Sequence, residues 1–156
     1  MRIEAFLHAS PIAQAARVAR RMEAALNLLL KHEEVTAFEA LVLAALFFEK
    51  RGTINPSALA DAFETTRSNV SHCLSSLEAR GLVRREIDPE DARAVRLMLR
   101  QRGRKQAARV VGIMDQMQRQ LEHGAGAAKL EAIIRQMNEV EELCTRVAKA
   151  AHPGRR

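Results

Sequence analysis

The sequence is poor in aromatic side chains, with no tryptophan, no tyrosine and only five phenylalanines. This scarcity argues against a ligand site caged by aromatic rings. No apolar run approaches the roughly 20 residues that span a bilayer, and the first residues lack the basic-then-apolar order of a signal peptide. We therefore expect a cytoplasmic protein with no membrane partner.

Cysteine is also scarce: the two cysteines, Cys73 and Cys144, lie within helical patterns and do not form a Cys-x-x-Cys motif. The cytoplasm keeps such thiols reduced, and a cysteine in an apolar helical pattern usually packs as a small hydrophobe. We expect this role for both cysteines. A redox-responsive protein is the alternative.

The sequence contains no arrangement of side chains that points to catalysis. Ser71, His72 and Cys73 are adjacent, but neighbouring helical residues point about 100° apart and cannot form a relay. Glycine-rich phosphate loops are absent, and the five histidines are scattered singly. We predict no enzymatic activity, no cofactor and no metal site. The metal alternative is zinc held between helices, for example by His32, Glu33, Glu34 or His123.

Charge is the most uneven property of the chain, which has 156 residues and a formal net charge of +6. Between Arg80 and Lys105 there are nine basic residues and four acidic ones. A basic excess of this kind favours polyanionic partners, nucleic acid first and acidic membrane surface second. The length predicts a single domain over residues 1–156.

Two short helices follow each other closely in the middle of the chain. Asn55 can cap a helix over residues 56–63, Thr66 can cap a second over 66–80, and Gly81 can end it. The second helix has an apolar side and an opposite side of small polar and basic residues, which are Arg67, Ser68, Asn69, Ser71, His72 and Ser75. Such a face suits readout of the DNA major groove.

Residue spacing predicts that these helices form a helix-turn-helix. Ala60 is the small residue needed where the helices cross, Val70 follows ten residues later, and Cys73 follows three further on. Glu64 occupies the turn position that glycine often holds. The alternative is an ordinary helical hairpin whose polar face is merely solvated.

A charged hairpin, the wing, is predicted directly after the second helix. Residues 82–87 and 95–99 alternate apolar and polar side chains, as strands with one buried face do. The alternation turns Val83 and Ile87 inward. Arg85 has the same parity, so it must lie at the sheet edge or find a partner. Residues 88–94 form the tip of the wing.

The wing resembles that of the MarR family of winged helix-turn-helix transcription regulators. The family signature is Asp-x-Arg followed by Leu and Gly, and this chain has Asp91, Arg93, Leu99 and Gly103 in register. Arg100 stands where the family has threonine. The resemblance extends over residues 10–151. It implies a mainly α fold with a small antiparallel β-hairpin wing and with N- and C-terminal dimerisation helices.

Long apolar stripes flank the predicted DNA-binding lobe, which covers residues 36–103. They lie on helices predicted over 10–31, 104–123 and 127–151, whereas residues 1–9 either pack on a partner or fray. Two chains can bury these stripes on each other, and the MarR resemblance implies that they do. An intramolecular three-helix bundle is the alternative. The predicted dimer-interface residues are Ile12, Leu130, Ile134, Met137, Val140, Cys144 and Val147.

These features predict a homodimeric, sequence-specific DNA-binding regulator that recognises a pseudo-palindromic operator and, as the family resemblance implies, a small-molecule effector. A winged-helix protein-binding module is the alternative. The predicted base-reading residues are Arg67, Ser68, Asn69 and His72. The predicted phosphate contacts are Ser71, Ser75, Arg84 and Arg96. By resemblance, Arg93 reaches the minor groove and Asp91 braces it.

Overall fold

A computed structural model describes residues 2–49, 54–88 and 95–151 of the chain. The described parts contain seven α-helices, one short 3-10 helix and one two-stranded antiparallel sheet. In chain order they are α1 (Arg2–Ala9), α2 (Pro11–Leu29), the 3-10 helix (Lys31–Glu33), α3 (Ala37–Phe48), α4 (Pro56–Ala62), α5 (Arg67–Ala79), β1 (Val83–Ile87), β2 (Val95–Leu99), α6 (Gln101–Ala125) and α7 (Ala127–Ala151). The predicted fold class is confirmed.

Capping residues account for most helix starts. The side chains of Ser10, Asn55 and Thr66 each accept a hydrogen bond from a backbone N–H in the first turn of α2, α4 and α5. Thr36 and Glu39 form a reciprocal capping box at α3. Several helix ends differ from prediction. Residues 2–9 form the regular helix α1, α2 ends at Leu29 rather than at residue 31, and α6 spans Gln101–Ala125 rather than 104–123.

The chain divides into two compact units, residues 1–113 and 114–156. In the first, α3 is the central helix, and six of its apolar residues are buried, namely Ala37, Ala40, Val42, Leu43, Ala44 and Leu46. The largest fully buried side chains of this core are Leu30, Leu43, Leu59, Leu74, Leu77, Leu82, Leu97, Val42, Val70, Val83 and Val110. Each such side chain contributes roughly 1.5–3 kcal/mol of burial free energy.

The turn between α4 and α5 has the expected helix-turn-helix geometry. Ala60 and Val70 are buried where the two helices meet. Glu64 adopts a left-handed backbone conformation, with φ of 48°, which explains why glycine suits this position. The Thr65 N–H then donates to the Ala60 carbonyl at 2.9 Å and closes the turn.

The two strands of the wing pair in antiparallel register, with Val83 opposite Leu99 and Ile87 opposite Val95. Val83 is fully buried, but Ile87 is 69% exposed, so the predicted burial of Ile87 is wrong. On this face Val83 and Leu97 are buried, whereas Ile87 and Val95, the described pair nearest the tip, are not. The Leu97 N–H donates to the Ile54 carbonyl at 2.9 Å, which places Ile54 beside β2.

The second unit contains the end of α6 and all of α7. Gly126 separates the two helices with φ of +85°, a left-handed conformation that glycine adopts without strain. No residue of α7 is buried. Its apolar stripe therefore faces outward in the single chain.

Candidate nucleic-acid interface

Helix α5 has two sharply different sides. Its buried side consists of Val70, Cys73, Leu74 and Leu77. The opposite side is exposed at every position predicted to face DNA, namely Arg67, Ser68, Asn69, Ser71, His72 and Ser75. The structure therefore brings all the predicted base-reading residues and two of the predicted phosphate contacts onto one helix face.

Local hydrogen bonds order part of this face. The Asn69 amide donates to the Thr65 hydroxyl at 3.0 Å, and the Ser75 hydroxyl donates to the Ser71 carbonyl at 2.9 Å. Both bonds lie within one helical turn, so they hold these side chains against α5. The polar surface is therefore partly preorganised in the unbound protein.

Glu39, which caps the start of α3, also anchors the inner side of α5. Its side chain is buried, and it accepts a hydrogen bond from the Ser76 hydroxyl at 2.6 Å. Arg80 approaches the same carboxylate at 3.3 Å. One carboxylate thus joins the capped start of α3 to the C-terminal end of α5.

Cys73 lies close to this network and is buried. Burial, assisted by the negative charge of Glu39, raises the pKa of the Cys73 thiol from 9.0 to about 12, although Arg80 acts in the opposite direction. The thiolate is the reactive form of cysteine. Cys73 therefore packs as a small hydrophobe, and the geometry argues against its use as a redox sensor.

The two faces of the hairpin carry different arginines. Arg85 faces α5, where its backbone N–H donates to Glu78 and its guanidinium approaches both Glu78 and the Ser71 carbonyl. This is the partner that its inward parity required. No pattern in the sequence indicates that this partner lies on α5.

Arg84 and Arg96 lie on the other face of the hairpin, away from α5. Arg84 pairs with Glu86 at 2.8 Å, and Arg96 pairs with Asp88. The structure does not bring these two predicted phosphate contacts together with the polar face of α5. The predicted wing-tip residues Asp91 and Arg93 lie outside the described residues.

A cleft of about 360 Å³ opens in the first unit, lined by Glu34, Arg80, Leu82, Arg102 and Gln106. The Gln106 amide donates to the Glu33 carbonyl, and Arg109 forms a bidentate pair with the Glu33 carboxylate at 2.9–3.0 Å. The hydrogen bonds that Arg109 donates to the Glu33 carboxylate raise the pKa of Arg109. These contacts attach α6 to the segment after α2.

The predicted dimer-interface residues are exposed or half-buried in the single chain. Ile12 is 64% exposed and Val147 is 69% exposed, and Leu130 and Cys144 are half-buried. Ile134, Met137 and Val140 are also exposed. These side chains are accessible to a second chain.

Among residues 2–49, 54–88 and 95–151, no three His, Cys, Asp or Glu side chains converge so as to hold a metal ion. None of the described helices is both long enough and apolar enough to cross a membrane.

Similarity to known proteins agrees with this geometry. Residues 38–95 match the family model described as MarR family. No curated protein matches the chain in sequence.

Among solved structures, the S. aureus MepR–DNA complex has a TM-score of 0.75 at 20% identity, covering 84% of this chain and 95% of that one. Bordetella bronchiseptica BpsR, in a structure on regulation of its DNA binding by 6-hydroxynicotinic acid, has a TM-score of 0.72 at 22% identity over 85% and 94% of the two chains. The repressor CouR, bound to a 23-mer DNA duplex, has a TM-score of 0.70 at 23% identity over 86% and 94%. The match over residues 38–95 and a fold shared with MarR-family transcription regulators confirm the family resemblance that the wing motif indicated.

Proposed function

We propose that this protein is a homodimeric transcription regulator that binds double-stranded DNA in a sequence-specific manner. The observation that carries the proposal is the two-sided character of α5, whose apolar side is buried while its whole polar side is exposed. A helix presented in this way by a helix-turn-helix can lie in the major groove. MarR-family members are transcription regulators rather than enzymes, and MepR and CouR are both seen with DNA.

The side chains on α5 suggest how bases are read. Arg67 can form a bidentate contact with guanine and Asn69 with adenine, while Ser68 and His72 lie beside them. Ser71 and Ser75 are suited to contact phosphate groups. Arg84 and Arg96 are suited to the same contact once they release the carboxylates with which they pair. Arg93 at the wing tip would enter the minor groove, with Asp91 orienting its guanidinium.

A two-fold dimer predicts the form of the operator. Each chain would present one α5, so the site consists of two half-sites about 10 base pairs apart. The full chain can be used to select duplexes from a randomised library and to footprint the selected site. A pseudo-palindrome protected over about two helical turns is expected. Failure to enrich any sequence would overturn the proposal.

Arg67→Ala tests the assigned reading of bases. Affinity for the selected site should fall by about 1–3 kcal/mol per subunit, and preference at one base position should relax. Affinity for random sequence should hardly change. Arg20→Ala is the control, because it removes the same charge from the exposed surface of α2. An equal loss on all sequences would make Arg67 a phosphate contact.

The wing is tested by Arg93→Ala. This change should leave the thermal midpoint nearly unchanged and reduce DNA affinity most on A·T-rich flanks, where a narrow minor groove attracts arginine. The salt dependence should flatten by about one phosphate-equivalent per wing. Equal affinity and equal salt slopes on A·T-rich and G·C-rich flanks would show that the wing does not contact DNA.

We also propose that the cleft between Arg80 and Arg102 takes a small carboxylic acid that alters DNA binding. Arg80 contacts Glu39, which in turn holds Ser76 of α5, so a ligand at Arg80 reaches the DNA-binding helix through one carboxylate. The first acid to test is 6-hydroxynicotinic acid, because it regulates DNA binding by BpsR. The expected result is a change in DNA affinity that Arg102→Ala abolishes. An unchanged affinity across a series of aromatic acids would reject this role for the cleft.

A further inference from the structure

Arg85 has an environment that differs from that of the other arginines on the hairpin. In the register of the hairpin, Arg85 lies opposite Leu97, whose side chain is buried on the face that packs against the helices. Its Nε lies 3.5 Å from the Glu78 carboxylate, and its terminal nitrogen lies 3.5 Å from the Ser71 carbonyl. The backbone N–H of Arg85 donates to the same carboxylate at 3.0 Å. Glu78 therefore holds both the backbone and the side chain of Arg85.

These contacts place the guanidinium at the edge of the DNA-facing surface. Ser71 is one of the exposed polar residues of α5, and Arg85 reaches its carbonyl from the neighbouring strand. The Arg85 side chain remains 34% exposed. A guanidinium has five N–H donors in a rigid fork, and these side-chain contacts involve two of its three nitrogens.

Arg84 lies on the opposite face of the hairpin from Arg85 and has different contacts. It is adjacent in sequence but projects from the other face of the hairpin, where it pairs with Glu86 at 2.8 Å. Arg96 is directly opposite Glu86 in the register and shares that face. Of the three arginines on the described strands, Arg85 is thus the one on the side of α5.

We propose that Arg85 is a DNA phosphate contact, oriented by Glu78, at the junction between α5 and the wing. The proposal rests on the proposed DNA-binding function. An arginine held by a carboxylate loses less side-chain freedom on binding than a mobile one. Its fork geometry also matches a phosphate group. Glu78 is then a positioning residue, which acts on DNA through Arg85.

The test uses the full chain, the duplex that the wild type selects and a random-sequence duplex, with affinity measured against salt concentration. Arg85→Met removes the charge but keeps much of the apolar stem. It should lower the affinity for both duplexes by about 10- to 100-fold at low salt. The slope of log affinity against log salt should flatten by about 0.9 per subunit. Arg20→Met, the charge-matched control on α2, should leave the slope at the wild-type value.

Two further variants separate a DNA contact from a purely structural role. Arg85→Lys keeps the charge and should preserve the salt slope while losing part of the affinity. Glu78→Gln should reduce affinity only when Arg85 is present, so the double variant with Arg85→Met should bind no worse than Arg85→Met alone. Thermal unfolding of every variant identifies losses that come from folding.

A lower thermal midpoint for Arg85→Met with an unchanged salt slope would overturn the proposal and make the pair a structural link between wing and helix. Unchanged affinity would overturn it equally. Either result is distinct from failure of the proposed function, in which the wild type itself would select no duplex.

Discussion

The Cys73 thiol illustrates how burial changes the chemistry of one residue. Its pKa rises to about 12 because the folded protein disfavours the thiolate. The unfolded chain loses this proton near pH 9, whereas the folded chain keeps it until about pH 12. The contribution of the protonated Cys73 thiol to the free energy of unfolding is therefore fully present below pH 9. It is lost as the pH rises from 9 to about 12.

This behaviour predicts a pH-dependent stability that depends on Cys73. Between pH 9 and 12 the free energy of unfolding should fall by up to about 1.4 kcal/mol per pH unit from this group. Cys73→Ala should lower stability at neutral pH but reduce the slope above pH 9. Cys144→Ala retains Cys73 and should retain the slope. Urea unfolding across this range, where no tyrosine contributes, is the measurement, and equal slopes for all three proteins would contradict the prediction.

Glu39 has two separable roles, as helix cap and as partner of α5. Thr36→Ala should remove only the cap contact, at a cost of about 0.5–2 kcal/mol. Glu39→Gln keeps an acceptor for Ser76 but loses the charge facing Arg80, and it should cost about 1 kcal/mol. Glu39→Ala should cost more than either, because it also leaves Arg80 and Ser76 without their carboxylate.

Denaturant unfolding of the three variants tests this ranking. If Glu39→Ala and Thr36→Ala lose the same stability, the contacts with α5 contribute nothing measurable. If Glu39→Gln matches the wild type, the charge facing Arg80 has no role in folding.

At the scale of elements, the approach of α6 to the wing depends on one glycine. A Cβ atom on Gly103 would lie 1.9 Å from the Leu82 carbonyl oxygen and 2.7 Å from its carbonyl carbon. The Arg100 N–H also donates to this carbonyl at 2.9 Å. The first turn of α6 and the start of β1 are therefore too close for any side chain at position 103.

Alanine at position 103 should force α6 away from β1 and destabilise the protein by about 1–3 kcal/mol or more. Gly112 is the matched control, since it lies in the same helix and its added Cβ would meet nothing within 4 Å. Gly112→Ala should instead raise stability by up to about 1 kcal/mol through helix propensity. Thermal or denaturant unfolding gives both values, and similar effects at the two positions would refute the close-approach explanation.

At the scale of the whole molecule, the exposed apolar stripes predict an obligate dimer. Several large apolar side chains of α7 are exposed in one chain, including Ile134, Val140 and Val147. A soluble monomer rarely exposes contiguous apolar surface of this kind. A second chain is the partner that would bury it.

Val140→Asp should therefore break the dimer and give monomeric, unfolded or aggregated protein. Asn138→Asp is the control, since it adds the same negative charge at an exposed polar residue of α7. Sedimentation equilibrium at micromolar concentration is the measurement. A wild type that sediments as a folded monomer would contradict the predicted dimer. A Val140→Asp variant that remains dimeric would show that the interface does not include Val140.

Much of the architecture could be predicted because it depends on near neighbours in the chain. The caps at Asn55 and Thr66, the turn at Glu64 and the two-sided pattern of α5 each involve residues within a few positions of one another. The apolar periodicity of a helix and its capping residues depend on positions close together in the chain, so both can be recognised in the sequence. The polar surface of α5 was predicted in full for this reason.

Contacts between distant residues required the tertiary structure. Glu39 meets Ser76 and Arg80, which lie 37 and 41 positions away, and nothing in a capping box indicates partners at that distance. The exposure of Ile87 depends on where the helices stop covering its face of the hairpin, which alternation alone does not encode. The pairing of Arg85 with Glu78 likewise depends on how β1 packs against α5. Local preferences determined which helices and strands form, whereas packing and register decided which charges meet.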